Sequence, residues 1–284
     1  MNDTPYASSA WSGHKGHQWV LHQRRLDRML ADFGEAALDA ASPRPGDRVL
    51  DVGCGAGTTT LALGRRVHPG GSVVGVDISA PLIQLARSRP TGGAQVEFVL
   101  DDASRVPFDP GGFDLVFSRF GVMFFDDPVA AFRHLRRALR PGGRLAFICW
   151  RTPDENDWIS LPSRVAGHLV PTPPPGDPRA PGPCSLGERP HVEAVLREAG
   201  FDDIEIAPLD RGVVFGRGAT DAEAVDDALV MALEVGPMSR LLEDQPDEVR
   251  AGATSALRDA LAERTADGAV VIGGAAWLVT AGAF

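Results

Sequence analysis

Alternate glycines at the end of an apolar run leave backbone N–H groups where a side chain would otherwise block access. In Val49-Leu50-Asp51-Val52-Gly53-Cys54-Gly55-Ala56-Gly57 the run stops at three such glycines, and Thr58-Thr59-Thr60 with Leu61 and Leu63 resumes at helical spacing. The pattern predicts strand, tight turn and helix, a combination that brings backbone donors and a helix N-terminus against a ligand. The spacing is GxGxG. Position 58 is Thr, so the GxGxxG of dinucleotide binders is not met.

Three more positions could do chemistry at the ends of apolar runs. Asp77 closes the second run, where an acid can accept both hydroxyls of a ribose. Asp101-Asp102-Ala103 closes the third, where a carboxylate could accept from an adenine amine, and Ser118-Arg119-Phe120-Gly121 closes the fourth. In an open parallel sheet the ligand sits beyond these strand ends.

The elements that must position them follow in order. Gln18 to Ala41 is helical, with Trp19, Leu26, Leu30, Phe33 and Ala37 on one stripe, and Gly34 is the expected break. Residues 1 to 17 show no period and read as a tail or mobile flap. After the turn cluster 42–47 come strands at 49–52, 72–77, 96–100, 113–118 and 144–150, with helices at 58–67, 80–89 and 128–139 between them. Strands that are nearly continuously apolar and alternate with helices predict an α/β fold: a doubly wound, mostly parallel seven-stranded Rossmann-like sheet with an N-terminal helical cap.

The expected organisation is a flap and helices over 1–41, a core over 42–150, a cover over 151–190 and the rest of the sheet over 191–284. Ten of the 23 prolines fall between Arg151 and Pro190, which predicts an irregular cover without a regular helix. A helix at 190–199, a strand at 204–209, an inserted helical pair within 220–265 and a last strand at 275–279 complete the chain.

The whole composition sets limits. Of 284 residues 44% are hydrophobic and 23% charged, with a formal charge of −10, which argues against nucleic acid and for a small-molecule partner. Cys54, Cys149 and Cys184 lack metal or disulfide spacing, which points to a cytoplasmic setting, and no apolar run is long enough to span a membrane. His14 and His17 are one helical step apart, but Gly13 and Gly16 weaken a helix there and no carboxylate matches, so no metal is expected. A monomer or a homodimer is compatible with these features.

The order DVGCGAG, GVDIS, LDDA, FDLVFS, LRPGG resembles the class I S-adenosylmethionine-dependent methyltransferases, in the small-molecule branch that includes ubiquinone and menaquinone methyltransferases. The resemblance covers roughly residues 45 to 150. It implies S-adenosylmethionine as the cofactor, with Gly53, Gly55 and Gly57 against its methionine half and Asp51 bracing the turn or holding the amino group. Cys54 lies within that turn and so among the expected cofactor-binding positions, where it reads as a small packing residue and not a nucleophile. Asp77 would take the ribose hydroxyls, Ile78 the adenine face, Asp102 and Ala103 the adenine edge, and Ser118 the amino-acid end by its backbone.

The acceptor side is carried by other residues. His14, His17 and His22 are candidate bases from the N-terminal segment, and Arg119 could hold an acidic acceptor or stabilise negative charge. Phe120, Met123, Phe124, Trp150 and Trp158 suit a hydrophobic acceptor, aromatic ones included, such as a secondary or quinone-like metabolite. A cofactor-binding protein that performs a cyclisation or senses the cofactor would carry the same motifs.

Overall fold

The computed structural model describes residues 11–169 and 176–284. Five apolar segments form parallel strands: β1 (Arg48–Val52), β2 (Ser72–Asp77), β3 (Gln95–Leu100), β4 (Phe113–Arg119) and β5 (Leu139–Trp150), in the order β3-β2-β1-β4-β5. β1 lies at the centre of this parallel run, paired with β2 through Val49↔Val73 and with β4 through Val49↔Leu115. Helices cover both faces, so Val49, Leu50, Leu115, Val116 and Phe117 are fully buried, which is why these strands read as apolar without alternation.

Beyond β5 the sheet turns antiparallel. β8 (Ala269–Ala283) pairs with β5 and β6 (Asp202–Arg217) pairs with β8, giving the path β3-β2-β1-β4-β5-β8-β6, with the two-residue β7 (Thr265–Ala266) beside β8. The expected seven-stranded path therefore forms, and β7 adds an eighth strand. β6 and β8 run far past the expected 204–209 and 275–279. Gly212 faces Gly273 in their register, and glycines break the apolar alternation that would mark a strand. Gly216 has a packing reason: an added Cβ would stand 2.2 Å from the Ala224 carbonyl oxygen, because a helix crosses the strand there.

The N-terminal segment corrects two expectations. It forms α1 (His14–Leu21), α2 (Gln23–Met29) and α3 (Ala31–Ala41), broken at His22 and Leu30. Gly34 lies inside α3, where an added Cβ would stand 3.3 Å from the Arg119 side chain. Residues 11–17, expected as tail or flap, are largely helical and docked: Ser79 Oγ donates to the Trp11 carbonyl over 2.8 Å and Ser12 Oγ to that of Ile78 over 3.1 Å. Residues 1–10 of that segment lie outside the described residues.

The glycine turn leads into α4 (Thr58–Val67), and α5 (Ala80–Ser88) and α6 (Pro128–Ala138) follow their strands as expected. The proline-rich cover is less irregular than expected, since it contains α7 (Asp157–Ala166) with Pro162 inside it. The helix survives one lost donor because it is anchored at its start. Buried Asn156 donates to the Ala275 carbonyl on β8 and accepts from the Ala275 N–H. The chain continues with α8 (Arg189–Glu198), α9 (Asp221–Glu234), the short α10 (Pro237–Leu241) and α11 (Asp247–Ala262). One hydrophobic core joins α2, α3, the sheet, α9 and α11, and a smaller cluster of Cys54, Leu61, Ile83, Ala86 and Phe98 lies beneath the glycine turn.

Candidate active site

The turn after β1 is held from three sides. Gly53 and Cys54 donate their N–H groups to the Val76 carbonyl on β2, over 2.9 and 3.1 Å. Gly53 sits at φ +67°, and an added Cβ would stand 2.7 Å from Gly121 Cα, so the turns after β1 and β4 touch only as glycines. Gly57, at φ +80°, caps α4 and packs against Phe98.

Below the turn, Asp51 is fully buried. One carboxylate oxygen accepts from the hydroxyls of Thr59 and Thr60, over 2.8 and 2.7 Å, while the other has no hydrogen-bond partner. Burial pushes its carboxyl up to about 6, against the two threonine hydroxyls and the nearby Arg119 guanidinium. Arg119 closes β4 with its side chain largely buried, 3.8 Å from Asp27 on α2; burial lowers its pKa, and Asp27 and Asp51 oppose that. Asp27 also accepts from Thr58 Oγ over 2.8 Å, which ties α2 to the start of α4.

Asp77 bonds the glycine turn with one oxygen and the chain leaving β2 with the other. It accepts from the Gly55 N–H and from the Ser79 N–H, each over 2.8 Å. Burial pushes its carboxyl up, against those N–H groups. Asp102, at the end of β3, accepts from the Ser104 N–H and hydroxyl over 2.9 and 2.6 Å and pairs with Arg105 over 3.0 Å.

A cavity of about 160 Å³ opens at these strand ends. Gly53, Cys54, Gly55, Asp77, Ile78, Asp102, Ala103 and Arg119 line it, with Phe120 and Phe124. Asp51, Gly57 and Ser118 lie behind the wall. Ser118 is buried, donates to the Val52 carbonyl over 2.8 Å and accepts from the Gly121 N–H, so its side chain braces the gap between β1 and β4. Burial pushes the Cys54 thiol well above its usual range, leaving it an uncharged packing group.

A second cavity of about 470 Å³ adjoins the first, sharing Trp11, Trp19, Leu26, Leu30, Phe120 and Phe124 as a common wall. Met123, Trp150 and Trp158 line this larger space. Phe120 stands between the two with φ +61°, a conformation costly for a side chain of its size, and its ring stacks on Trp150 at 4.1 Å.

Of the three histidines expected as bases, none lines either cavity among the described side chains. His17 is exposed and its ring bonds the Gly13 carbonyl. His22 is buried at 3% exposure, 2.7 Å from Glu234 on α9. The side chain of His14 lies outside the described residues.

Sequence reasoning passed over Trp11 and Glu234. A second tryptophan eight residues before Trp19 was the available signal for Trp11. Glu234 gave none, because its partner His22, at the break between α1 and α2, lies over two hundred residues away.

Residues 49–143 match the family model described as a methyltransferase domain. A nocamycin O-methyltransferase of Saccharothrix syringae is 35% identical over 178 residues, which cover 59% of this chain and 63% of that protein. A demethylmenaquinone methyltransferase of Clavibacter sepedonicus is 37% identical over 118 residues, 42% of this chain and 47% of the relative. This chain thus spans less than two thirds of either relative's length. Among solved structures, a phosphoethanolamine N-methyltransferase of Haemonchus contortus in complex with S-adenosyl-L-methionine aligns with 99% of this chain and 58% of its own, at a TM-score of 0.54 and 20% identity. That last likeness is one of fold.

Proposed function

We propose that this chain, whose residues 49–143 match a methyltransferase domain, is a class I S-adenosylmethionine-dependent methyltransferase that transfers a methyl group from that cofactor to a hydrophobic small molecule, aromatic ones included. The observation that carries the reading is the pair of adjoining cavities: a smaller one rimmed by the glycine turn and acids, and a larger one walled by rings.

The residues of the smaller cavity fit the cofactor. Asp77 retains acceptor capacity beyond its two backbone bonds and would take the ribose hydroxyls. Ile78, Leu82 and Ala103 would flank the adenine, and Asp102 its amine. Arg119 would meet the carboxylate of the methionine end, and the unpaired oxygen of Asp51 suits a cationic neighbour behind the turn. Gly55 has open space where a Cβ would stand, so a ligand can approach its backbone. When bound, S-adenosylmethionine supplies an electrophilic methyl group on a sulfonium.

The protein's part is to align the acceptor and keep water out. Trp11, only 8% exposed, closes the shared wall edge-on to Trp19 and Phe124, at 5.3 and 5.2 Å. Phe120 and Trp150 present a stacked face to the acceptor side.

The test is incubation with methyl-labelled S-adenosylmethionine and a library of hydrophobic ring compounds, read by mass spectrometry. The expected product carries one added labelled methyl group. Methylation of polar peptides or tRNA alone would overturn the acceptor class. A converted product without the label, with the cofactor intact, would favour a cofactor-dependent reaction such as cyclisation.

A further inference from the structure

The larger cavity is walled by rings, yet four ionisable side chains among the described residues reach it: Lys15, Glu234, Glu243 and Arg250. Among the described residues two carboxylates stand against two cations, with no excess charge for a charged ligand to neutralise.

Glu234 differs from the other three because a buried histidine sets its position. Its Oε2 lies 2.7 Å from Nε2 of His22, while Nδ1 of His22 lies 3.2 Å from an Nη of Arg25. A guanidinium only donates, so Nδ1 holds the lone pair and Nε2 carries the hydrogen that Glu234 accepts. Arg25 is fixed in turn by Asp227, 2.5 Å away. The other oxygen of Glu234 takes no hydrogen bond among the described residues, and the side chain is 44% exposed in the cavity wall.

We infer that Glu234, held by His22, receives the hydroxyl hydrogen of an uncharged hydroxyarene, and that such compounds are the acceptors this cavity takes. The inference rests on the methyl-transfer reading and deepens it. A hydroxyl donating to a carboxylate makes a charge-assisted bond. Its methyl ether has no hydrogen to donate, so the same contact separates acceptor from product. Glu234 touches the acceptor; His22 is a positioning residue that acts through it.

The experiment is calorimetric titration of the full chain, saturated with S-adenosylhomocysteine, with 2-naphthol, 2-methoxynaphthalene and 2-naphthylmethylammonium. The native protein is expected to bind 2-naphthol about tenfold tighter than its methyl ether. Glu234→Gln should bring that ratio below about threefold with the ether's affinity unchanged. His22→Gln, whose amide N–H can replace Nε2–H, should keep the ratio, and His22→Phe should lose it. Failure of 2-naphthol to bind, equal binding of the ether, a preference for the ammonium, or a ratio that survives Glu234→Gln would each overturn the inference. A ratio that survives His22→Phe would remove the role of His22. Titration with S-adenosylhomocysteine alone separates the two readings: no binding there sinks methyl transfer itself, whereas binding without a naphthol preference sinks only the inference drawn from Glu234.

Discussion

Asp51 shows how a single side chain can be costly to the fold and still belong in the site. It is fully buried, one oxygen is unpaired, and burial pushes its carboxyl from 3.8 to about 6. Between those values the native chain holds a proton that the unfolded chain has lost, so stability must fall as pH rises through that window. A shift of that size corresponds to roughly 2–3 kcal/mol. Asp51→Asn keeps a carbonyl oxygen for Thr59 and Thr60 and removes the titration. Urea unfolding between pH 4 and 7 should therefore show the native protein losing stability relative to the variant, with the difference levelling off above about pH 6. Parallel pH profiles would mean that the Asp51 carboxyl does not titrate in that window. The motif DVGCGAG pointed to this residue in the sequence, because strand and turn are local features. Its burial was not legible there, since it depends on β2, β4 and α4 closing around it.

At the scale of elements, the two cavities are closed by parts of the chain far apart in sequence. Arg25 and Arg28 on α2 both grip Asp227 on α9, at 2.5 and 2.7 Å, and the Arg217 N–H adds a third donor over 3.0 Å. Partial burial pushes the Asp227 carboxyl up, but the Arg25 and Arg217 hydrogen bonds hold it below the usual carboxylate range. Two arginines and a backbone N–H would lose their acceptor together in Asp227→Ala. The expected cost is on the order of 1–3 kcal/mol. Trypsin should then cut the segment carrying Arg24, Arg25 and Arg28 faster than in the native protein, while cleavage elsewhere is unchanged. Equal cleavage rates would show that α2 is held by its apolar face alone. The helices themselves were readable from their periodicity. The pairing of α2 with α9 was not, because it is carried by charges that look like ordinary solvated faces in the sequence. The same holds for Gly34, which reads as a helix break but serves to let Arg119 pass.

At the scale of the molecule, the methyltransferase motifs end near residue 143, whereas the core does not. The parallel strands β1 to β5 were evident from runs of Val, Leu, Ile and Phe, and their parallel direction from the α/β alternation, whereas the order β3-β2-β1-β4-β5 is set by the fold. The antiparallel pair β6 and β8 was only half legible, because Gly212, Gly216, Gly273 and Gly274 interrupt its apolar alternation. Yet β8 covers the outer edge of β5 from Gly143 to Trp150, and Leu145, Phe147, Ile148 and Cys149 on that strand are fully buried. A chain cut to residues 42–150 keeps every cofactor motif but bares that edge, along with the surfaces that α3 and α8 cover. Truncating a single buried Phe such as Phe147 to Ala already costs about 3–5 kcal/mol, a large part of a domain's net stability of roughly 5–15 kcal/mol. The 42–150 fragment should therefore lack a cooperative thermal transition by circular dichroism and fail to bind S-adenosylhomocysteine in calorimetry. The full chain should show one transition, raised by that ligand. A fragment that melts sharply and binds would make the antiparallel half an attachment to the sheet, and the shared core irrelevant to holding the site.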